Sequence, residues 1–294
     1  MGNRVGLFYN PVAGEGRFKF KLDKVIHSFQ THGLQLEPLR ISSNAEILQQ
    51  AARLDPADYH TIIAAGGDGT INGVVNAMMK CGLTVPLGIF PEGTSNDVAS
   101  YLGISRNVRD YCKVITHGQL MDCDVGKVNG ELFINVASAG FLTETAHEVD
   151  YRLKNSLGRL AYYLKAVEKL PKLKPFRMSA SIDGKKYELD ALLFILLNGG
   201  TAGGFKDILP PGSMSDGLMD FLAIRPAPPH SLGRVLHNFY RGRLLDDNDV
   251  FYCQGQRISI KLKPETPTDL DGEVGPALPW EIEVLPKAIQ IHIP

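Results

Sequence analysis

Five consecutive residues, Gly66-Gly67-Asp68-Gly69-Thr70, carry the densest chemistry in the chain. A compact apolar run at 61–65 leads into them. Ile71, Val74, Val75 and Met78 follow at the i, i+3, i+4, i+7 spacing of one helical face. A strand, a glycine loop and a helix in that order suit an anion. Glycines permit positive φ and let a phosphate approach the backbone N–H groups. The helix N-terminus adds a partial positive charge. Asp68 is out of place beside a bare phosphate, so its carboxylate points to a magnesium ion between the two. The plainer reading is a tight turn with Asp68 as a helix cap. The strand before and the amphipathic helix after weigh against it.

Two more loops have the same character. Asn10-Pro11-Val12-Ala13-Gly14 follows an apolar run at 5–9, and Pro91-Glu92-Gly93-Thr94-Ser95-Asn96-Asp97 follows another at 85–90. Each alone is ordinary loop chemistry, with Thr94 or Ser95 as a helix cap. Together they place three polar glycine loops at the strand ends where open α/β sheets bind ligands, and a nucleotide site becomes the better reading. No G-x-x-x-x-G-K-[ST] occurs and no G-x-G-x-x-G follows the first run, which excludes Walker and dinucleotide sites. Taken by themselves, Asp216-Gly217 and Asp271-Gly272 read as turns, with Glu273 a solvated strand residue. The eight histidines show no H-x-x-x-H or H-E-x-x-H spacing, so the pattern marks no histidine metal site.

These loops need elements to hold them. The first half alternates: strands at 5–9, 34–41, 61–65 and 85–90, helices at 17–32, 45–54, 71–80, 96–102 and around Val108, Tyr111, Cys112 and Ile115. Such alternation builds a parallel sheet with helices on both faces. The character changes near Asp122. A hairpin is expected at 123–128 and 131–137 around Asn129-Gly130, a strong short turn signal. Further strands are expected around Met178-Ala180-Ile182, through Tyr187 and Leu189, and at 192–197, 218–224, 250–254, 258–262, 281–284 and 289–293. Helical patches fall at 160–170 and 231–240. The second half is mostly antiparallel β, with a boundary at about residue 122.

Composition narrows the classes. The chain has 294 residues, with 31 Lys and Arg against 32 Asp and Glu, a formal net charge of −1. That balance argues against a bulk nucleic-acid binder, which needs an excess of cations. A hydrophobic share of 44% and a charged share of 21% fit a globular fold. Cys81, Cys112, Cys123 and Cys253 form no C-x-x-C pair and read as ordinary buried thiols, and Trp280 as packing. No signal pattern opens the chain and the longest strongly apolar run, 191–197, is far too short for a bilayer. The expectation is a soluble, cytoplasmic protein with reduced thiols.

The Asn-Pro-x-x-Gly of 10–14, the Gly-Gly-Asp-Gly-Thr of 66–70 and the Pro-x-Gly-Thr-x-Asn-Asp of 91–97 together resemble the bacterial diacylglycerol-kinase-type lipid kinases. These are related to the catalytic domains of eukaryotic diacylglycerol and sphingosine kinases. Asp124, the stretch from Asn135 to 141, Asn198-Gly199, the 210–220 stretch and Asp271-Gly272-Glu273 fall in the family's order, so the resemblance covers nearly the whole chain. NAD kinases and phosphofructokinases share the glycine-aspartate loop; the complete ordered set is what is specific. The resemblance implies an α/β nucleotide-binding domain over 1–122, with a parallel sheet of the NAD kinase and phosphofructokinase kind. A mainly antiparallel, β-sandwich-like lipid-substrate domain over 123–294 would follow, its extreme C-terminus free to pack back on the first.

The resemblance also implies an activity and its residues. The γ-phosphate of ATP would pass to the hydroxyl of diacylglycerol, giving phosphatidic acid. Asn10, Pro11, Val12, Ala13, Gly14, Gly66, Gly67, Asp68, Gly69, Thr70, Ile71, Asn72, Gly93 and Thr94 would contact the nucleotide, with one more contact from Ile41-Ser42-Ser43. Asp68 and Glu273 would be the catalytic carboxylates. Asp216 would ligate Mg²⁺ with the backbone carbonyls of Ser213 and Leu218, and Asp124 would reach the ion through water. The rivals are a kinase for another lipid alcohol such as a sphingoid base, a NAD-kinase-like enzyme, and a catalytically silent nucleotide- or lipid-binding regulator. A homodimer is compatible with the resemblance, and nucleic acid is not expected.

One charged segment stands apart. Arg152, Lys154, Arg159, Lys165, Lys169, Lys172, Lys174 and Arg177 share the 152–177 stretch with a single acid, Glu168, for a local charge of +7. Leucines and tyrosines interleave with them. The functional reading is an amphipathic helix docking transiently on an anionic membrane surface, which would make the protein peripheral. The bland reading is a solvated basic face.

Overall fold

A computed structural model describes residues 2–14, 16–140, 174–201 and 214–294. The chain divides into two compact units, Met1–Cys123 with Lys287–Pro294, and Asp124–Pro286.

The first unit is built on parallel strands. β1 (Arg4–Tyr9), β2 (Gln35–Arg40), β3 (Tyr59–Gly66) and β4 (Leu87–Pro91) lie in the order β2-β1-β3-β4, and β4 is joined by the end of β16 (Trp280–Ile293) through Ile291. Helices make the parallel returns: α1 (Leu22–Gln30) after a 3-10 turn at Phe18–Lys21, α2 (Asn44–Ala51) and α3 (Asp68–Cys81). α4 (Asp97–Tyr101) and α5 (Val108–His117) follow β4. β3 is buried along nearly its whole length, as a central strand with covered faces must be. Ser43 caps α2 by accepting from the Glu46 N–H, and Glu46 answers by accepting from Ser42 N–H at 2.7 Å. Gly82 closes α3 in the left-handed region at φ +67°. Phe29, Phe90 and Tyr111 stack in the core, the last two 3.9 Å apart.

The second unit is a β-sandwich. One sheet runs β9 (Lys185–Ala191), β8 (Phe176–Ile182), β13 (Arg257–Lys263) and the start of β16, all antiparallel. The other runs β12 (Val250–Gly255), β11 (Met219–Ile224), β10 (Leu193–Leu197), β7 (Val136–Gly140), β14 (Thr268–Leu270) and β15 (Glu273–Val274). β5 (Gln119–Val128) and β6 (Glu131–Phe133) form the hairpin expected around Asn129-Gly130. Phe194 and Leu196 of β10 enter the core between the sheets with Met178, Phe221, Ile260 and Trp280. The alternate residues Leu193, Ile195 and Leu197 pack with Val235 of α6 (Pro229–Tyr240), which explains a strand buried on both faces. Trp280 is fully buried, and its indole N–H donates to the Pro276 carbonyl at 2.8 Å, so its one polar atom is satisfied.

Several expectations change. The second hairpin arm is not one strand over 131–137: it breaks between β6 and β7. The reason is Asp271, whose carboxylate captures the amides of Ile134, Asn135 and Val136 and removes them from any ladder. The strands expected at 281–284 and 289–293 are one fourteen-residue strand that continues through Pro286 and Lys287. α3 begins at Asp68 rather than Ile71, so Asp68-Gly69-Thr70 form its first turn. Cys81 and Cys253 are half-buried, unlike Cys112 and Cys123. The patch at 160–170, and most of the basic segment, lie outside the described residues. Among the described residues no helix is long and apolar enough to cross a membrane.

Candidate functional site

The three glycine loops of the first unit meet. β1, β3 and β4 end level, with Tyr9 opposite Ala65, Ala65 opposite Phe90 and Gly66 opposite Pro91. The chain therefore leaves all three strands side by side. The Asn10 N–H donates to Ala65 O at 3.3 Å and the Glu92 N–H to Gly66 O at 2.9 Å. Gly14, at φ +57°, lies so near the third loop that a Cβ there would sit 2.2 Å from the Glu92 carbonyl oxygen. A Cβ on Gly93 would lie 2.3 Å from Gly67 Cα. At these two positions only glycine fits, because a backbone occupies the space of the side chain.

Side chains then fix the loops. Asn10 Oδ1 accepts from the Val12 N–H at 3.0 Å. Asn96 occupies the left-handed region at φ +54° and clasps Gly93, accepting from its N–H and donating to its carbonyl, each at 2.8 Å. Lys21 holds the Glu92 carboxylate at 2.6 Å, tying the 3-10 turn to the third loop. Asn96, rather than Thr94 or Ser95, is the residue at the start of α4.

Asp68 bridges the second and third loops. Its Oδ1 accepts from the Val98 N–H of α4 at 3.3 Å. Burial pushes its carboxyl above the ordinary range, and the amides of Val98, Asp97 and Asn96 oppose that shift. It therefore serves the terminus of the neighbouring helix as well as its own first amide. Gly67 makes no side-chain cap on α3, so the helix begins at the glycine loop with Asp68 the acid of its first turn. Ile71 and Asn72 are buried, and Val12 is 73% exposed. At the end of β2, Ile41 is buried, while Ser42 and Ser43 are engaged with Glu46.

In the second unit Asp124 is fully buried. Its N–H donates to Met214 O at 2.6 Å, and its Oδ2 accepts from the Gly217 N–H at 2.6 Å. Asp216 is exposed in the same turn and accepts from the Leu218 N–H at 3.0 Å. Asp124 and Asp216 thus accept from the successive amides of Gly217 and Leu218, with Gly217 at φ +78°. Carboxylates and backbone carbonyls are a hard-oxygen set that fits Mg²⁺. Asn198 donates to the Asp124 and Ile134 carbonyls at 2.7 and 2.8 Å, while its own Oδ1 is buried without a partner among the described residues. That oxygen belongs to the amide that holds the Asp124 backbone, and a buried polar atom of this kind suits a water or an ion. Ser213 lies outside the described residues.

Glu273 opens β15, paired with Leu270 across the two-residue turn Asp271-Gly272. The turn has φ +49° and +89°, the paired positive values of a type I′ hairpin. Glu273 is exposed and Asp271 is buried. Asp271 holds the hairpin by accepting from Ile134, Asn135 and Val136 at 2.7, 2.9 and 2.7 Å. Sequence reasoning missed this clamp, since Asp-Gly signals a turn and says nothing of where the carboxylate goes. Of the basic segment, Lys174 and Arg177 are described, and Arg177 lies 3.9 Å from Glu188 on its own sheet.

Two family models match the chain. The diacylglycerol kinase catalytic domain matches residues 4–128, and the YegS C-terminal NAD kinase beta sandwich-like domain matches residues 135–293. A diacylglycerol kinase of Bacillus subtilis strain 168 is 34% identical over 292 residues, covering 99% of this chain and 96% of that protein. One from Staphylococcus saprophyticus is 31% identical over 294 residues, covering 100% and 96%. A crystal structure from Bacillus anthracis strain Sterne, provisionally designated a diacylglycerol kinase, superposes with a TM-score of 0.87 at 27% identity. It covers 99% of this chain and 95% of that one.

Proposed function

The chain belongs to the diacylglycerol kinase family, and from that premise we propose that it transfers the γ-phosphate of ATP to the hydroxyl of diacylglycerol, giving phosphatidic acid. It is a lipid kinase, and its family implies ATP as donor. The observation that carries the finer reading is the meeting of three glycine loops on one edge of a parallel sheet. Loop amides and the α3 dipole bind the phosphates, Gly14 and Gly93 keeping the backbone close enough to do so.

Phosphoryl transfer needs positioning, charge neutralisation and a group that orients the attacking hydroxyl. Asp68 would hold the Mg²⁺ that comes with the phosphates, and that ion would supply the neutralisation. A second, structural Mg²⁺ would be held by Asp216 with the carbonyls of Ser213 and Leu218, and by Asp124 through water. Glu273 accepts the proton of the lipid hydroxyl as its oxygen bonds to the γ-phosphorus, and the bond to the β-phosphate oxygen breaks to release ADP. Exposure suits this work, since an acceptor can reach the carboxylate. The protein works in the cytoplasm and reaches lipid by transient contact of the 152–177 segment with anionic membrane.

The test is labelled ATP with diacylglycerol micelles, sphingosine micelles, NAD, and no acceptor. Label is expected in phosphatidic acid alone. Glu273→Gln should keep nucleotide binding and lose roughly two or more orders of magnitude in turnover. Label in the sphingosine or NAD arm, or normal turnover by Glu273→Gln, overturns the reading.

A further inference from the structure

Two histidines that no H-x-x-x-H pattern connects are brought together in the first unit. His32 follows α1 by two residues and His117 ends α5, and both are exposed. Their ring centres are 5.1 Å apart, with an interplanar angle of 83°.

Donor accounting fixes the His32 tautomer. Thr31 Oγ1 donates to Ser28 O at 2.8 Å, so its one proton is committed. His32 Nδ1 faces that same carbonyl at 2.8 Å and Thr31 Oγ1 at 3.2 Å. Both are acceptors there, so His32 Nδ1 carries the proton. Thr116 Oγ1 likewise donates to Cys112 O at 3.1 Å, and His117 Nδ1 lies 2.7 Å from Thr116 Oγ1. With the Thr116 proton on the Cys112 carbonyl, His117 Nδ1 donates to Thr116 Oγ1, the arrangement the site requires. Both rings are left with an Nε2 lone pair. This is how metal-ligating imidazoles are held: the second nitrogen donates to a carbonyl or hydroxyl, setting tautomer and ring orientation.

Electrostatics point the same way. Both residues sit at C-terminal ends of helices, where carbonyls carry partial negative charge and favour a cation. With metal–nitrogen bonds of about 2.1 Å, two imidazoles on one tetrahedral ion have ring centres roughly 5 Å apart, the spacing seen.

We propose that His32 and His117 form a two-imidazole site for a divalent transition-metal ion of the Zn²⁺ or Cu²⁺ class, linking the ends of α1 and α5. Water completes the coordination. Imidazole selects these ions over Mg²⁺, so the site is chemically distinct from the oxygen set of the second unit. His32 shortly precedes β2, so the pair belongs to the sheet edge opposite the glycine loops and takes no part in the lipid kinase reaction.

The test is calorimetric titration of the full chain with Zn²⁺ in a non-chelating buffer containing millimolar Mg²⁺. One ion should bind in the micromolar range. His32→Ala and His117→Ala should each weaken binding at least tenfold, and the double variant should abolish it. Thr116→Val, which removes the acceptor from His117 Nδ1, should weaken it severalfold. His27→Ala, on the same helix, should leave it unchanged. Saturating Zn²⁺ should raise Tm by several degrees in the wild type and not in the double variant. Kinase activity of the double variant without Zn²⁺ should match wild type. Equal Zn²⁺ affinity in wild type and double variant overturns the site, as does a Zn²⁺ affinity lost through His27→Ala.

Discussion

Replacing Asp271 with Asn changes one oxygen for one amine in a clamp that joins three strands. Asn keeps the positive φ of +49° and is the favoured residue before Gly in a type I′ turn, so the hairpin geometry is preserved. What changes is the acceptor set. Oδ1 serves Asn135 and Val136, and Oδ2 serves Ile134, all from a carboxylate that is 6% exposed. An Asn oxygen can still take the first pair. Its NH₂ then faces the Ile134 N–H, donor against donor. An unsatisfied buried amide costs about 1–3 kcal/mol, and losing charge assistance weakens the surviving bonds by about 1 kcal/mol in all. The total is about 2–4 kcal/mol, a large part of a domain's stability. For a unit of this size that lowers Tm by roughly 5–12 °C. The assay is thermal unfolding followed by circular dichroism, with initial rates on micellar diacylglycerol measured well below Tm. Turnover should fall as well, because Glu273 is two residues away on the hairpin the clamp holds. A Tm within about 2 °C of wild type would refute the clamp energetics. A normal turnover alongside a lowered Tm would show that the clamp stabilises the sandwich without positioning Glu273.

Gly93→Ala should weaken MgATP binding at least tenfold in equilibrium dialysis, because its Cβ would come 2.3 Å from Gly67 Cα and drive the loops apart; unchanged affinity would mean that the loops do not hold the nucleotide. Asp216→Ala should lower Tm and abolish the protection that added Mg²⁺ gives; a variant still protected by Mg²⁺ would remove Asp216 from any metal site. His292 is buried, its Nε2 lacks a partner among the described residues, and burial with the nearby His60 pushes its pKa down to about 4. The folded state thus refuses a proton that the unfolded chain accepts below about pH 6.5, so stability is complete above that pH and falls as pH drops toward 4. The loss reaches about 3 kcal/mol once the pH is below both values. His292→Phe should flatten urea midpoints across that window relative to wild type, and parallel pH curves for the two would refute it.

Local periodicity and turn chemistry were readable from the residues. The strand at 61–65, the amphipathic helix after it and the Asn129-Gly130 hairpin rest on side chains a few positions apart, and such spacing is written in order along the chain. The three glycine loops were readable for the same reason, since a glycine where a strand meets a helix already says that a backbone must come close to something. What each loop approaches was not readable. That Gly14 abuts Glu92 and Gly93 abuts Gly67 depends on three strands ending level, a matter of register in the sheet.

The buried polar groups were the least legible. Asp271 belongs to a turn by its neighbours in sequence, yet it splits the strand expected at 131–137 from more than a hundred residues away. Asp68 reads as a cap for its own helix and reaches the next one as well. The His32–His117 pair has no spacing pattern at all, because it is made by two helices packing side by side. The alternation of strand and helix, the later antiparallel β and the glycine loops at the strand ends were all written in the chain, because each is an interaction between near neighbours. The partners of Asp68, Asp124, Asp271 and the paired imidazoles were set only when distant segments packed together. A hydrogen bond across a fold costs the chain nothing in local propensity, and so leaves no mark in it.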